Sequence, residues 1–460
     1  MYTSVIDVLD ADWIRRLRGE PDEPRSDGEP PLPGPSQKLG LLQALAMAHD
    51  PLGFFEAFQL RYGDIFELPF GTALARNAWV CDPFLAREVI ESEPPPLEAA
   101  LTNALVEPVV GAGSLLLLAG EEHRRRREEL EPEFDASRLR LDAGLITEEI
   151  TRHLENWEAG NVIGLWKWAQ QLTAAIMLRV VFGIGRGSAF DELSTAVREV
   201  VELAHNPAML MPWLQIDAGP LSPWGKFLRQ KAQVDQLLEE QIRKRRGDPT
   251  LDERMDILSL MVRTNLHDGD VRDEVLTLLI AGNQTTAAGL TWTLELLLRN
   301  PAKLAKLRGR LRKCEGRYLE SVVTEALRLR VPLFALGRGT QAEYQLGPFT
   351  IPAGMGIAIP LLLVYRSPGM FKDPTVFRPE RFEPPEPAPG TWVPFGDGIR
   401  KCIGWHFALL QIGMIVEAVV NRFDLRLMNE RPARPKLMSG ALVIPDTDVP
   451  VRVTVRRASG

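Results

Sequence analysis

The sequence predicts a mainly α-helical protein with small β-sheets, and three observations support this prediction. Apolar residues at helical spacing dominate from about residue 135 to residue 311. Short apolar stretches between turn residues predict strands at 65–68, at 79–81 and within 344–360. A last amphipathic helix follows Cys402. Helices therefore outnumber strands.

The longest predicted helix runs from about residue 270 to residue 299. At about 1.5 Å per residue it is ~45 Å long, which is enough to cross the molecule. The Asn300-Pro301 pair is a sound stop signal after it. Gly282 and Thr285 are weak helix formers in its middle. A threonine hydroxyl that bonds back to a carbonyl would open a local bulge there.

The composition is that of a globular enzyme. The 460 residues are 45% hydrophobic and 25% charged, which leaves ample material for a core. The net charge of -7 argues against nucleic-acid binding. Three scattered cysteines do not form a disulfide framework and indicate a reducing compartment. Because the N-terminus has no apolar run long enough for a bilayer, we expect no membrane span and a cytoplasmic location.

Cys402 lies in a glycine-rich loop before the last helix, residues 395–404, Phe-Gly-Asp-Gly-Ile-Arg-Lys-Cys-Ile-Gly. Glycines let a backbone pass close to a flat ligand, and the helix N-terminus with Arg400 favours a thiolate. A lone thiolate without a second cysteine or clustered histidines suits the axial position of a haem better than zinc. Cys81 and Cys314 lack such surroundings and are interpreted as structural.

This loop resembles the cysteine-ligand loop of the cytochrome P450 family. Three further motifs resemble that family and occur in its order: Ala-Gly-Asn-Gln-Thr-Thr at 281–286, Glu-Ala-Leu-Arg at 325–328 and Phe-Arg-Pro-Glu-Arg-Phe at 377–382. The resemblance runs from about Pro33 to the C-terminus. It implies the cytochrome P450 fold, with a long central helix over the haem and the cysteine loop before the last helix.

The resemblance also implies a domain organisation, a cofactor and a site. Residues 1–36 form a polar, Pro-rich lead-in, and residues 37–460 form a single catalytic domain of the bacterial type. The cofactor is haem b, with Cys402 as the iron ligand. The residues expected to hold the haem are Cys402, Phe395, Gly396, and four propionate contacts, His123, Arg127, Arg338 and Arg400.

Thr285 and Gln284 are the catalytic candidates. By resemblance, Thr285 supplies the hydroxyl that donates a hydrogen bond to dioxygen. Gln284 departs from the family, which usually has an acid at this position to relay protons. An amide cannot titrate near neutral pH, so the protons would come through Thr285, water or the substrate.

Glu325 and Arg328 lie one helical turn apart in an apolar helix, which predicts that the pair is at least partly buried. By resemblance, Arg381 is their third partner, and the role of the three is structural. By the same analogy, the substrate pocket includes segments 95–118, 207–214 and 439–443. Its individual candidates are Ala281, Val331, Leu333 and Leu336.

The expected activity is that of a haem-thiolate monooxygenase. It would insert one oxygen atom from O2 into an apolar substrate, such as a terpenoid, steroid, fatty acyl or polyketide skeleton. Electrons from NAD(P)H would arrive through ferredoxin and its reductase or a flavodoxin-like donor. Arg124, Arg125 and Arg126, with Lys401, form either a docking patch for that donor or a solvated basic face.

Two alternatives remain at this stage. The first is a haem-thiolate isomerase, dehydratase or peroxygenase that needs no external electrons, and Gln284 is the feature that favours it. The second is a non-enzymatic haem protein, which the presence of Thr285 argues against. Consumption of reduced nicotinamide that depends on substrate separates the three activities.

Overall fold

The structure is a computed structural model that describes most of the chain. The described residues are 32–35, 40–70, 72–74, 76–92, 96–134, 143–204, 216–219, 222–264, 266–383, 394–438 and 441–455. The first 31 residues of the predicted lead-in and the predicted pocket segment 207–214 lie outside these ranges. So do residues 95 and 439–440, which belong to the other two predicted pocket segments.

Helices make up most of the described chain, as predicted. In chain order they are α1 (Gly40–His49), α2 (Pro51–Tyr62), α3 (Pro83–Glu91), α4 (Ala100–Asn103), α5 (Glu107–Val110), α6 (Gly120–Leu130), α7 (Ala143–Leu154), α8 (Leu165–Ile176), α9 (Ser188–Ala204), α10 (Pro223–Arg246), α11 (Ile257–Arg263), α12 (Asp268–Arg299), α13 (Pro301–Leu311), α14 (Arg317–Leu329), α15 (Leu361–Val364) and α16 (Trp405–Arg422). None of them combines the length and apolar character that a membrane span requires.

The strands form small sheets at the edges of the helical body. They are β1 (Ile65–Leu68), β2 (Asn77–Val80), β3 (Leu97–Glu98), β4 (Val162–Gly164), β5 (Ala335–Thr340), β6 (Tyr344–Leu346), β7 (Phe349–Ile351), β8 (Gly356–Pro360), β9 (Phe423–Leu427), β10 (Pro435–Met438), β11 (Leu442–Pro445) and β12 (Pro450–Val455). The largest sheet has the order β1-β2-β8-β5-β3, in which only β2 and β8 pair in parallel. A second sheet has the order β4-β12-β9, and β6-β7 and β10-β11 form hairpins.

Helix α12 is the central element. It begins two residues before the predicted start and ends at the predicted residue, Arg299. Its second half is almost wholly buried because the helix packs against α8, α14 and α16. Apolar side chains of these helices form one hydrophobic cluster, and a second cluster surrounds the five-stranded sheet.

The bulge expected in the middle of α12 does not form, because the helix is continuous from Asp268 to Arg299. The hydroxyl of Thr285 does bond back, to the carbonyl of Ala281 at 2.6 Å, yet the ladder stays intact. The irregularity lies instead in a π-helical turn, Met177–Val181, that follows α8. A Cβ on Gly282 would lie 2.8 Å from Met177 Cε, so the glycine allows this turn to pack closely on α12.

The end of the predicted lead-in packs on the sheet. Leu32 and Pro35 are buried, and Pro33 O accepts a hydrogen bond from Glu67 N at 2.8 Å. These contacts attach residues 32–35 to strand β1.

Candidate haem site

The cysteine loop is a tight hairpin that hydrogen bonds and glycines define. Phe395 O accepts the N–H of Cys402 at 2.7 Å, which closes the loop. Gly396 and Gly398 adopt φ values of 73° and 60°, in the region that side chains disfavour. Asp397 caps the short turn through Gly398 N at 2.8 Å. The backbone of the loop can therefore approach a flat ligand closely, because no side chain projects at the two glycines.

Cys402 lies just before helix α16, as predicted, and Gly404 is the residue that caps the helix. The Cys402 side chain is exposed at its surface although protein surrounds it on most sides, a combination typical of the wall of an internal cleft. The helix end and the nearby cations favour the thiolate, as expected, but they are not the largest influence on the thiol pKa. Burial raises the pKa of Cys402 and outweighs the Gly404 N–H, Arg127 and Lys401. Metal coordination itself deprotonates such a thiol.

The other two cysteines differ from Cys402. Cys81 is fully buried, and burial raises the pKa of its thiol far above the usual range. Cys314 is exposed and adopts a φ of 57° in the turn that follows α13. Neither belongs to a glycine loop before a helix.

Two of the predicted propionate contacts, Arg127 and Arg400, connect the cysteine loop to other segments. Arg127 Nη1 donates to Lys401 O at 2.6 Å, so helix α6 holds the residue that precedes Cys402. Arg400 Nη2 donates to Glu98 at 2.5 Å and to Leu118 O at 2.7 Å. The Nε of Arg400 is buried and has no partner among the described residues.

His123 and Arg338 complete a cluster of basic side chains, in which the arginines carry the positive charge. Burial, with Arg400 and Arg127, lowers the pKa of His123 to about 4. Its buried Nδ1 has no partner among the described residues. Burial and Arg400 lower the pKa of Arg338 to about 10, while Glu98 acts in the opposite direction. Arg400 lies close enough to Arg127 and Arg338 for their like charges to oppose one another. Glu98 counters Arg338 and Arg400, and Glu131 accepts a hydrogen bond from Arg127 Nη2 at 3.1 Å.

These residues fit haem b. Its two propionates would supply the negative charge that the cluster lacks and the acceptor that Arg400 Nε needs. One thiol with no neighbouring ligand residues suits axial coordination of a haem iron. Within the described ranges, no group of three histidine, cysteine or acidic residues could hold a bare metal ion.

The middle of α12 presents polar groups on two sides. Ala281 is exposed and Thr285, one turn further on, is partly exposed in a helix that is otherwise mostly buried, which places an open space beside this face. Gln284 is buried on another face, where its Oε1 accepts a hydrogen bond from Gln170 Nε2 at 2.8 Å. Next to it, Asn283 Oδ1 accepts from the hydroxyl of Thr173 at 2.6 Å. Helix α8 therefore fixes the side chains before Thr285.

The predicted contacts of Glu325 are present. Its two carboxylate oxygens accept from Arg328 at 2.7 and 3.0 Å, and one also accepts from Arg381 Nε at 3.0 Å. The backbone N–H of Arg378 donates to the same carboxylate at 2.9 Å. Arg328 also donates to two backbone carbonyls, Tyr365 O and Pro374 O. The cluster is buried, and both of its guanidinium groups lie over the Phe371 ring.

The predicted pocket residues divide into two groups. Val331 is wrong as a lining residue, because it is 0% exposed and packs in the cluster around the large sheet. It lies two residues after the end of α14 and precedes a proline, and its side chain packs in this core. Leu333 and Leu336 keep accessible surface, and Leu333 pairs with Leu442 in an isolated bridge.

The predicted basic patch on α6 is smaller than expected. Arg126 is only 2% exposed and lies 3.8 Å from the buried Glu274 carboxylate. Arg124 and Arg125 are exposed and pair with Glu121 and Glu129 on their own helix. The expectation that all three arginines share one outer face is wrong, because α6 turns Arg126 inward toward α12.

Sequence reasoning missed three residues of this region. Nothing in the sequence distinguishes Glu98, since its partner Arg400 is 302 residues away. Gln170 lies in an ordinary amphipathic helix. Glu274 could have been identified from the sequence, because it is an acidic residue within the apolar pattern of the long helix.

A helical body around one long helix, with a cysteine hairpin and a cationic cluster, defines a haem-thiolate protein. The family model described as Cytochrome P450 matches residues 30–451. The chain therefore belongs to the cytochrome P450 family, whose members are monooxygenases that use haem b.

Relatives and solved structures agree with this assignment. The chain is 34% identical to cytochrome P450 138 of Mycobacterium tuberculosis over 84% of this chain and 88% of the relative. It is 30% identical to cytochrome P450 135B1 of the same organism over 92% of both chains. The fold is similar to the retinoic acid-bound cyanobacterial CYP120A1, with a TM-score of 0.77, 23% identity and coverage of 88% and 94%. For the cytochrome P450DA heme domain the TM-score is 0.79, with 22% identity and coverage of 93% and 97%.

Proposed function

We propose that haem b binds with Cys402 as its axial ligand and with its propionates against His123, Arg127, Arg338 and Arg400. The observation that carries this assignment is the cluster of basic side chains beside the cysteine hairpin, in which Arg400 Nε and His123 Nδ1 are buried without a partner among the described residues. The backbone hydrogen bond between Arg127 and Lys401 supports it, because one contact ties the cationic helix to the cysteine loop. Phe395 and Gly396, at the closed end of the hairpin, would help to hold the haem.

Haem bound through a cysteine thiolate supplies the cleavage of dioxygen and the oxidation of an unactivated C–H bond or an alkene. The protein's part is to hold the substrate and to deliver protons. Thr285, partly exposed beside the open space, is the proposed hydroxyl donor toward dioxygen. Gln284 cannot carry a proton itself, so its amide would orient Thr285 or water through its bond to Gln170.

The proposed substrate is an apolar small molecule, such as a terpenoid, steroid, fatty acyl or polyketide compound of secondary metabolism. Ala281, Leu333 and Leu336 support this class, since all three keep accessible apolar surface near the predicted site. Retinoic acid, bound by the cyanobacterial protein of the same fold, is a sensible first compound for a ligand panel. The readout is the spin-state change that follows displacement of axial water.

The proposed electron donor is a ferredoxin with its reductase or a flavodoxin-like protein. Arg124 and Arg125 are exposed on α6, the helix that also holds Lys401 through Arg127, so they lie near the cysteine side. Complementary charge of this kind mainly raises the association rate and fails at high salt. Three cysteines without a disulfide agree with a reducing compartment, and we propose the cytoplasm.

A second candidate is a haem-thiolate isomerase, dehydratase or peroxygenase. The observation that favours it is the buried amide of Gln284, bonded to another amide where the family usually has an acid. Product formation without reduced nicotinamide would establish this alternative. Product that requires both nicotinamide and O2 would establish the monooxygenase.

The ligand assignment has a direct test. The reduced carbon monoxide complex should show the red-shifted Soret band of a thiolate haem. Cys402→Ala should abolish this band, and the matched controls Cys81→Ala and Cys314→Ala should keep it. A thiolate band in Cys402→Ala would overturn the assignment.

A further inference from the structure

Segment 111–118 lies between helices α5 and α6 and is attached to the first half of α12 by side-chain hydrogen bonds. Asp273 Oδ2 accepts the N–H of Gly113 at 3.0 Å, and Glu274 Oε2 accepts the N–H of Leu115 at 2.8 Å. Thr277 Oγ1 donates to Ser114 Oγ at 2.8 Å. The three α12 side chains, all buried, are called the loop clasp below.

The backbone approaches the clasp closely because the segment contains glycines. A Cβ on Gly111 would lie 2.2 Å from Asp273 Cγ, and one on Gly113 would lie 2.6 Å from Asp270 Oδ1. Any side chain at these positions would push the segment off α12. The backbone of the segment therefore sits directly against these carboxylates, while Leu115 packs in the same hydrophobic cluster as apolar residues of α12.

The carbonyl groups of the same segment hold Arg400. Leu115 donates its N–H to Glu274 and accepts from Arg400 Nη1 at 3.3 Å through its own carbonyl. Leu118 O accepts from Arg400 Nη2 at 2.7 Å. One peptide segment thus connects α12 to the arginine beside Cys402.

Glu274 also faces a cation on helix α6. Arg126 Nη1 donates to Gly113 O at 3.1 Å and lies 3.8 Å from the Glu274 carboxylate. Glu274 Oε1 and Arg126 Nε are buried without a partner in the described part of the chain. Arg126 is next to Arg127, so neighbouring residues of α6 contact segment 111–118 and the cysteine loop.

We propose that the loop clasp of Asp273, Glu274 and Thr277 is a set of positioning residues that fix segment 111–118 so that its carbonyls aim Arg400 at a haem propionate. This inference rests on the proposed placement of the propionates at Arg400. It assigns to the first half of α12 a role in retaining the cofactor, separate from the role of Thr285 in its middle.

The test is the rate at which haem passes from the holoprotein to excess apomyoglobin, a measurement that needs no substrate. Arg400→Leu should speed haem loss by about tenfold or more, since a charge-assisted bond contributes about 1.5–3 kcal/mol. Glu274→Leu should speed haem loss by about tenfold. The near-isosteric Thr277→Val, which is less disruptive to folding, should give about threefold through loss of one neutral hydrogen bond.

A double variant shows whether the clasp acts through Arg400. Haem loss from Glu274→Leu/Arg400→Leu should match Arg400→Leu alone, because the second change removes a contact that is already lost. The matched control is Glu149→Leu. Glu149 is equally buried and paired with arginines, Arg179 and Arg186, but bonds no residue of the haem site.

The outcomes separate this inference from the proposed site. Unchanged haem loss in Arg400→Leu would overturn the propionate assignment itself. Faster loss in Arg400→Leu with wild-type rates in Glu274→Leu and Thr277→Val would overturn the clasp alone. Equal acceleration in Glu149→Leu, or independent effects in the double variant, would show general destabilisation and would also overturn it.

Discussion

Two buried glutamates, Glu325 and Glu274, differ in how fully hydrogen bonds and nearby cations balance their negative charge. Glu325 receives two bonds from Arg328, one from Arg381 and one from a backbone N–H. Glu274 receives one backbone N–H, and its nearest guanidinium, that of Arg126, stands at 3.8 Å. Mainly because of burial, the pKa of Glu274 is raised to about 7.

The difference shows what each cluster can do. A carboxylate with all its acceptor positions used holds its neighbours in one arrangement and is costly to disturb. A carboxyl group that is buried with one orphaned oxygen changes charge near neutral pH, and its hold on its neighbours changes with it. The Glu325 cluster therefore keeps one fixed arrangement and is called the fixed brace below. The contacts of Glu274, in contrast, change with its protonation.

The largest effect is expected at the fixed brace. Glu325→Ala or Arg328→Ala leaves a buried partner charge unpaired, which costs about 3–5 kcal/mol and should leave little haem-loaded protein. The measurement is haem absorbance per mole of purified protein together with the urea midpoint. The control is Arg87→Ala, which breaks an exposed pair with Glu91 and should cost about 0–1 kcal/mol. Full haem content in either brace variant would contradict the comparison.

The second effect is a pH dependence at Glu274. Its raised pKa means that the folded protein keeps a proton that the unfolded chain loses near pH 4.5, so stability falls as the pH rises toward 7. Glu274→Gln cannot take up or release this proton, because an amide does not titrate in this pH range. Relative to wild type, its free energy of unfolding should therefore rise by about 2 kcal/mol between pH 5.5 and pH 8.

Glu149→Gln is the matched control for this change in the free energy of unfolding with pH. Its two arginines lower the pKa of Glu149 despite burial, so its contribution changes only below the ordinary pKa of a glutamate. Urea unfolding at the two pH values measures both variants. A flat difference for Glu274→Gln would mean that Arg126 keeps the carboxylate ionised throughout, and the distinction between the two clusters would fail.

The sequence predicted local features of both regions better than their long-range contacts. The extent of α12, the strand β1 and the helix after Cys402 follow from apolar periodicity and stop signals, which act over a few residues. The Glu325–Arg328 pair is also local, since it spans one turn. Arg381 was identified as the third partner only by resemblance to the family.

Contacts between distant segments could not be predicted from these patterns. Periodicity shows which residues face inward but not what they meet, and the charge run on α6 does not reveal that Arg126 is buried. The assignment of Val331 to the pocket rests on family analogy alone, which does not show that its side chain is buried in the core. The bond between Glu98 and Arg400 and the clasp on segment 111–118 depend on how separate elements dock. The thiol pKa of Cys402 also depends on docking, since burial by distant elements outweighs the helix end.

The smallest effect on stability is expected at Gln284, where a substitution should act directly on the chemistry. Gln284 is a buried polar side chain like Glu274, but it carries no charge. Gln284 is buried and bonded to Gln170, with no cation among its hydrogen-bonded partners in the described chain. Gln284→Glu would place a carboxyl group there under conditions like those of Glu274, so its pKa should also be raised by burial. A carboxyl that titrates near neutral pH can pass a proton.

We therefore expect Gln284→Glu to preserve or improve the amount of product formed per nicotinamide consumed, whereas Thr285→Ala should divert electrons to peroxide. A positioned acid contributes about 10²–10⁴-fold to such a proton transfer, while loss of the neutral bond to Gln170 costs only about 1 kcal/mol of stability. Gln170→Leu is the control, since it removes that bond without adding an acid. Identical product ratios and peroxide yields in wild type, Gln284→Glu and Thr285→Ala would show that this part of α12 carries no proton, and catalysis without nicotinamide would then be the reaction to pursue.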